Sequence, residues 1–287
     1  MPKYLYRFIS FEDFINLVIN NKDRFMRPSA WDDGYEAYLF SHLDSPEDVR
    51  DIVTQMCNEI DLEDYSVVYD YYFRLWHSKN FSYAQSWSEY DETDAMWRCY
   101  SHHKKAIRIR TTEEKLLKHA KQIFPSEQHF DVLLREVMYD LDQKTSIHQQ
   151  VEQMTKSKSP SETYFHKRAV FQHEEEFRLL ITDNSQYSHE YFISEEVKPN
   201  IEEQIKGITD QEEIIDLITD AILSIRKSYR TNVNDQALIK DAGNLSEFLE
   251  GVMVHPQAQD WYVKIIEDIC LQKGISFEGQ SQIYKLK

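Results

Sequence analysis

The sequence predicts an α+β fold, a single domain with a central mixed, mostly antiparallel sheet and helical insertions. Three observations predict it. Short aromatic and aliphatic stretches recur at Tyr4 to Ile9, Phe81 to Trp87, Ala106 to Arg110 and Gly251 to Val254, each with the length of a strand. Among them lie segments whose apolar residues return every three or four positions, as on one face of a helix. No convincing linker divides the 287 residues, and that length can bury a full core. The expected core spans 1–193, with helical insertions at about 45–80 and 142–160 and a helix-and-strand extension over 194–287.

Taken in order, Tyr4 to Ile9 reads as a strand and Ser10 as the cap of a short helix, with Asp13 three residues on. Phe11, Phe14, Ile15 and Val18 give that helix its apolar face. Arg24 to Arg27 reads as a second strand, stopped by Pro28, and Trp31 to Glu36 as a turn leading into a helix. Pro46 to Lys79 is helical and rich in tyrosine, Phe81 to Trp87 a strand, and Asp91 to His102 a helix. After the strand Ala106 to Arg110, Thr112 opens another helix, and Arg135 to Leu141 leans towards strand. Gln143 to Ser159 is polar and helix-prone with a weak apolar face, so it is expected to project from the body or to be mobile. Tyr191 to Ile193 reads as a short strand, and Glu195 to Arg230 as helix with a stripe of Ile214, Ile215, Ile218, Ile222 and Ile225. A strand ending at Pro256, a helix from Gln259 to Gln272 stopped by Gly274, and a last strand within Ile275 to Tyr284 complete the chain.

Composition excludes several classes. Fifty acidic residues against 33 basic ones give a formal charge of −17, which repels a phosphate backbone and argues against general nucleic-acid binding. A local basic cleft for a small anion stays compatible with it. Six glycines and no G-x-G-x-x-G or Walker pattern remove the familiar nucleotide-binding loops. Cys57, Cys99 and Cys270 lie too far apart in sequence for a disulfide framework or a zinc motif, and Cys99 reads as a buried small hydrophobe. The start lacks the apolar run of a signal peptide, and no segment approaches the ~18 apolar residues of a membrane span. A cytoplasmic protein is the expectation, with no membrane partner.

The most informative stretch is His173 to Ile181. If extended, it puts Glu174, Glu176 and Arg178 on one face and Phe177, Leu179 and Ile181 on the other. Such a face is either a salt-bridged strand edge or the wall of a cleft. Buried carboxylates need partners, and His166, Lys167 and Arg168 lie just upstream. Asp32, Asp33 and Glu36 read as a helix cap before a cation site. His102, His103 and His173 match no metal motif, so no metal is assigned.

Leu5-Tyr6-Arg7-Phe8, Pro28 to Glu36, Ser86-Trp87-Ser88-Glu89, Ala95 to Tyr100, Val137-Met138-Tyr139, Lys167-Arg168, the run from His173 to Arg178, and Val254-His255-Pro256 are short pieces in a fixed order. Taken together, they resemble the bacterial family catalogued as domain of unknown function 2971. Where that family shows Asn-Asp-Pro, this chain has Asp32-Asp33-Gly34. The order Arg7, Ser86-x-Ser88, Glu174-x-Glu176 is also similar to that of mono-ADP-ribosyltransferases. That resemblance implies an NAD-consuming enzyme, transferring ADP-ribose to a macromolecule or hydrolysing NAD in a toxin or phage-defence setting. It implies Glu176 as the catalytic carboxylate, Glu174 as the acceptor-side carboxylate, Arg7 as the anchor of NAD and Ser86 or Ser88 as pocket support. Trp97 and Tyr100 are candidates to stack on a ring, and Arg178 continues the charged face. The alternative is a non-catalytic module that uses the same cleft for a small ligand or a protein partner.

Overall fold

A computed structural model describes residues 2–31, 33, 35–36, 38–43, 45–59, 66–101, 103–141, 146–157, 159–185, 201–228 and 236–285. β1 (Tyr4–Ile9) runs into α1 (Phe11–Val18), where the Ser10 side chain accepts from the Asp13 amide, and the chain returns as β2 (Lys22–Met26). Beyond β2, Pro28 opens a 3-10 turn. α2 (Tyr38–Ser41), α3 (Pro46–Glu59) and α4 (Ser66–Phe81) precede β3 (Ser82–Ser88). α5 (Asp94–Cys99) leads to β4 (Ile107–Thr112), and Thr112 caps α6 (Glu113–Ile123). β5 (Phe130–Glu136), β6 (Met138–Leu141), α7 (Ile147–Ser157), β7 (His166–Arg168) and β8 (Glu176–Asp183) follow. The described part ends with α8 (Gln211–Ser228), β9 (Ala237–Asp241), α9 (Leu245–Phe248), β10 (Gly251–Val254), α10 (Asp260–Lys273) and β11 (Phe277–Gln280).

Nine of these strands form one sheet in the order β11-β10-β4-β1-β3-β2-β9, with β8 and then β5 added on β3. Its pairs are antiparallel except β10 with β11, so the expected α+β architecture on a mostly antiparallel sheet is what forms. Helices cover both faces. Alternate residues of β8 divide between two cores: Phe177, Leu179 and Ile181 pack with α1, α6 and α10, while Leu180 packs with α3, α4, α7 and α8. The isoleucine stripe of α8 lies in the second core, as its helical spacing predicts.

Three expectations are corrected. The segment expected to project forms α7, which buries Gln150, Val151 and Met154 against the second core. A narrow apolar stripe sufficed because α2 and α3 supply the rest of the contact. The helix expected over Asp91 to His102 is confined to six residues by its Thr93 cap, whose hydroxyl accepts from the Met96 amide. Strands β5 and β9 form where the sequence shows little or no strand signal, since their residues alternate weakly. Tyr191 to Ile193, Asp32, Gly34 and His102 lie outside the described residues. Among those described, no helix is long and apolar enough to cross a membrane.

Candidate functional site

The sheet forks at β3. One edge of β3 pairs with β8 over its whole length, Ser82 to Ser88 against Thr182 to Glu176. On the other edge β2 meets it at Ala84 and β1 meets it at Ser88. β1 and β2 therefore diverge about Ser86. The Arg24 carbonyl accepts from side chains there, Gln85 Nε2 at 3.0 Å and Arg7 Nη2 at 3.3 Å. Where ladder pairing gives way to side-chain bonds, a hollow opens in the sheet. Its volume is about 690 Å³, within the range of small-molecule sites.

Arg7, Ser86, Glu174 and Tyr100 all line this cleft. Arg24, Trp31 and Phe171, which sequence reasoning missed, line it too, as do Lys167 and Arg168, expected as partners of the glutamates. Arg7 donates to Asp23 Oδ1 at 3.1 Å rather than pairing with Glu176. Arg168 forms a two-pronged contact with Asp33, at 2.8 and 3.3 Å, and lies over Tyr35. Asp33 thus serves as an anchor for arginine. Among the described residues, no group of three or more histidines, cysteines or carboxylates is arranged to hold a metal.

Beneath the cleft lies a buried ionic cluster. Lys167 Nζ donates to Glu36 at 2.8 Å, Glu174 at 2.7 Å and Glu176 at 3.3 Å. Arg178 donates from Nε and Nη2 to both oxygens of Glu176, at 2.8 and 2.9 Å, and from Nη2 to Glu36 at 2.8 Å. Ser86 Oγ donates to Glu176 Oε1 at 2.6 Å, and the Glu176 amide donates to the Tyr139 hydroxyl. The Arg178 guanidinium also lies 4.3 Å from the Trp31 ring, so the cluster supports the cleft's aromatic wall.

Three carboxylates against two cations leave an excess negative charge, and the environments decide where it sits. Burial alone would push the Glu176 carboxyl up, but the Arg178 and Lys167 charges, with bonds from Arg178 and Ser86, hold it down at about 2. For Glu174, burial dominates and raises the pKa, although Lys167 pulls against it. Burial opposes the charge of Lys167, and its three glutamates outweigh that and raise it. Glu174 thus shifts in the opposite direction to Glu176, and its side chain is 26% exposed at the cleft.

These facts correct the expected assignment. Glu176 is 3% exposed with both oxygens occupied, so it forms the floor under the cleft and does not line it. Glu174 does not continue the strand, because Glu175 takes a left-handed conformation with φ 41° that turns the chain before β8. Arg178 is 1% exposed and holds Glu176 from behind. Ser88 donates to the Glu174 carbonyl and supports the turn. Trp97 is fully buried, edge-on to Phe8 at 4.8 Å, and its indole nitrogen donates to Glu92. Core packing has claimed it. Cys99, expected inside, is exposed and lines the cleft, because α5 ends there and turns it outward. Of the three basic residues upstream, Lys167 alone pairs with the glutamates, since Arg168 pairs with Asp33 and His166 Nδ1 lies 2.7 Å from Asp140.

A family model described as a protein of unknown function, DUF2971, matches residues 96–179. The matched segment runs from α5 into β8 and contains Lys167, Arg168, Glu174, Glu176 and Arg178. The chain is similar to that family over this span. No curated protein and no solved structure matches it.

Proposed function

We propose that the fork cleft binds a small phosphate-bearing ligand of the nucleotide class, with NAD the first candidate. The observation that carries this reading is the convergence of Arg7, Arg24, Ser86, Tyr100 and Glu174 on one hollow. Guanidinium forks suit phosphate oxygens. Trp31, Tyr100 and Phe171 offer faces for a planar ring, and Glu174 suits a sugar hydroxyl or a positively charged ring.

A second reading makes the site catalytic, consuming NAD by transfer of ADP-ribose or by hydrolysis. Strand order favours it. Arg7, Ser86 and Glu176 sit on the neighbouring strands β1, β3 and β8, and Ser86 bonds directly to Glu176. In such a step the bond between ribose and nicotinamide breaks and nicotinamide leaves with the electron pair. A nucleophile, water or an acceptor side chain, then forms the new bond at that ribose carbon and gives its proton to Glu174. A carboxylate beside the cationic sugar stabilises it electrostatically.

Titrating NAD into the protein and assaying nicotinamide release tests both readings. NAD binding, weakened about tenfold or more by Arg7→Ala, is expected from the loss of a charge-assisted contact. Nicotinamide release that disappears in a folded Glu174→Gln variant would establish catalysis. Binding without release leaves a ligand-binding module, and failure to bind NAD or any other nucleotide overturns the proposal.

A further inference from the structure

We infer that the fork cleft is one half of a two-chambered site, and that its ligand is an elongated dinucleotide-like molecule with phosphates at its centre. This rests on the reading of the cleft as a site for a phosphate-bearing ligand. A second hollow of about 320 Å³ lies beside the first. Both have Arg7, Ile9, Asp13 and Arg24 in their walls, so two guanidinium groups stand at the waist between them. The topology explains the arrangement. Arg7 comes from β1 and Arg24 from β2, the strands that diverge from β3, and the gap between them serves both chambers.

The waist suits an anion. Arg24 is 47% exposed along its side chain, and its contact with Asp13 is 3.9 Å long, beyond hydrogen-bonding distance. Its guanidinium donors can turn to a ligand without breaking a tight ion pair. Arg7 is held more firmly by Asp23 and the Arg24 carbonyl, which fixes one guanidinium in place.

The second chamber has its own recognition chemistry. Asn20 Nδ2 donates to Asn16 Oδ1 at 2.9 Å, which leaves donors on Asn16 and an acceptor on Asn20 facing a polar partner. Leu17 and Ile239 supply apolar wall, and Ile239 is 61% exposed. A donor and an acceptor beside an apolar face match the edge and face of a base. The first chamber offers aromatic wall and Glu174 to the other head. A mononucleotide would fill one chamber only.

Calorimetric titration of the full chain with inorganic pyrophosphate, AMP and NAD tests the inference. NAD is expected to bind at least about tenfold more tightly than AMP, equivalent to about 1.4 kcal/mol. The double substitution Asn16→Ala and Asn20→Ala should weaken NAD about tenfold and leave pyrophosphate affinity unchanged. Both side chains are exposed, so the fold should tolerate their loss. Arg24→Ala should weaken all three ligands. NAD binding no tighter than AMP, or NAD affinity unchanged by the double substitution, would overturn the second chamber while leaving the first intact. Failure of pyrophosphate and both nucleotides to bind the native chain would overturn both.

Discussion

Two arginines buried in this sheet, Arg178 under the cleft and Arg108 towards the far edge, meet their carboxylates in opposite ways. Arg108 on β4 is 2% exposed, bonds to Asp91 and Glu278, and lies over the Tyr6 ring. Burial there outweighs its partners and lowers its pKa. Glu278 is shared with Arg110, at 3.0 Å, so two cations draw on one partly buried carboxylate. At Arg178 burial again disfavours the charge, but Glu176 and Glu36 outweigh it and raise the pKa. The far cluster is a clamp that ties β11 to β4 across β10. The near cluster holds more carboxylate than it can neutralise, and the surplus emerges in the cleft as Glu174. Surplus charge at an opening marks a candidate site, whereas a closed pairing marks architecture.

The sharpest way to break this contrast is to remove the centre of the near cluster. Glu176→Gln removes the carboxylate that Arg178 grips with two donors and sets a neutral amide between Arg178 and Lys167 in a dry site, and should cost about 3–5 kcal/mol in urea unfolding. A loss below about 1 kcal/mol would mean that the cluster is open to water. Acid should reproduce part of that loss. The Glu176 carboxyl, ordinarily near 4.5, is held at about 2, so its contribution is complete above pH 4.5 and disappears as pH falls towards 2. Native protein should therefore lose stability more steeply across that window than Glu176→Gln. Glu174 has the opposite sign: with its pKa raised by burial, its contribution is greatest at low pH and is lost as pH rises through the folded value.

The smallest expected effect sharpens the other side of the comparison. An added methyl at Gly251 would collide with the Glu278 carboxylate, which crosses that strand to reach Arg108 and Arg110. Gly251→Ala should cost about 1–3 kcal/mol, read as a lowered Tm. Ligand binding at the cleft should be unchanged. A matching loss of binding would show that clamp and cleft are not independent.

Local signals were legible where side chains act on their own backbone. The Ser10 and Thr112 caps, the stop at Gly274 and the isoleucine stripe of α8 follow from neighbours within one turn or one face. The candidate site was legible in part. Arg7, Ser86, Tyr100 and Glu174 line the cleft, and Trp97 does not, because an aromatic helix face gives no sign of whether it packs inward or onto a ligand. Glu36 joins Lys167 and Arg178 from more than a hundred residues away, and no spacing rule announces such a partner.

Residue order alone settled the α+β class, the main helices, several of the strands and the alternation of β8, since those depend on periodicity and capping over a few residues. It could not settle which glutamate faces solvent. That was decided by a single left-handed residue, Glu175, and by the divergence of β1 from β2, features that exist only once distant strands have been brought onto β3.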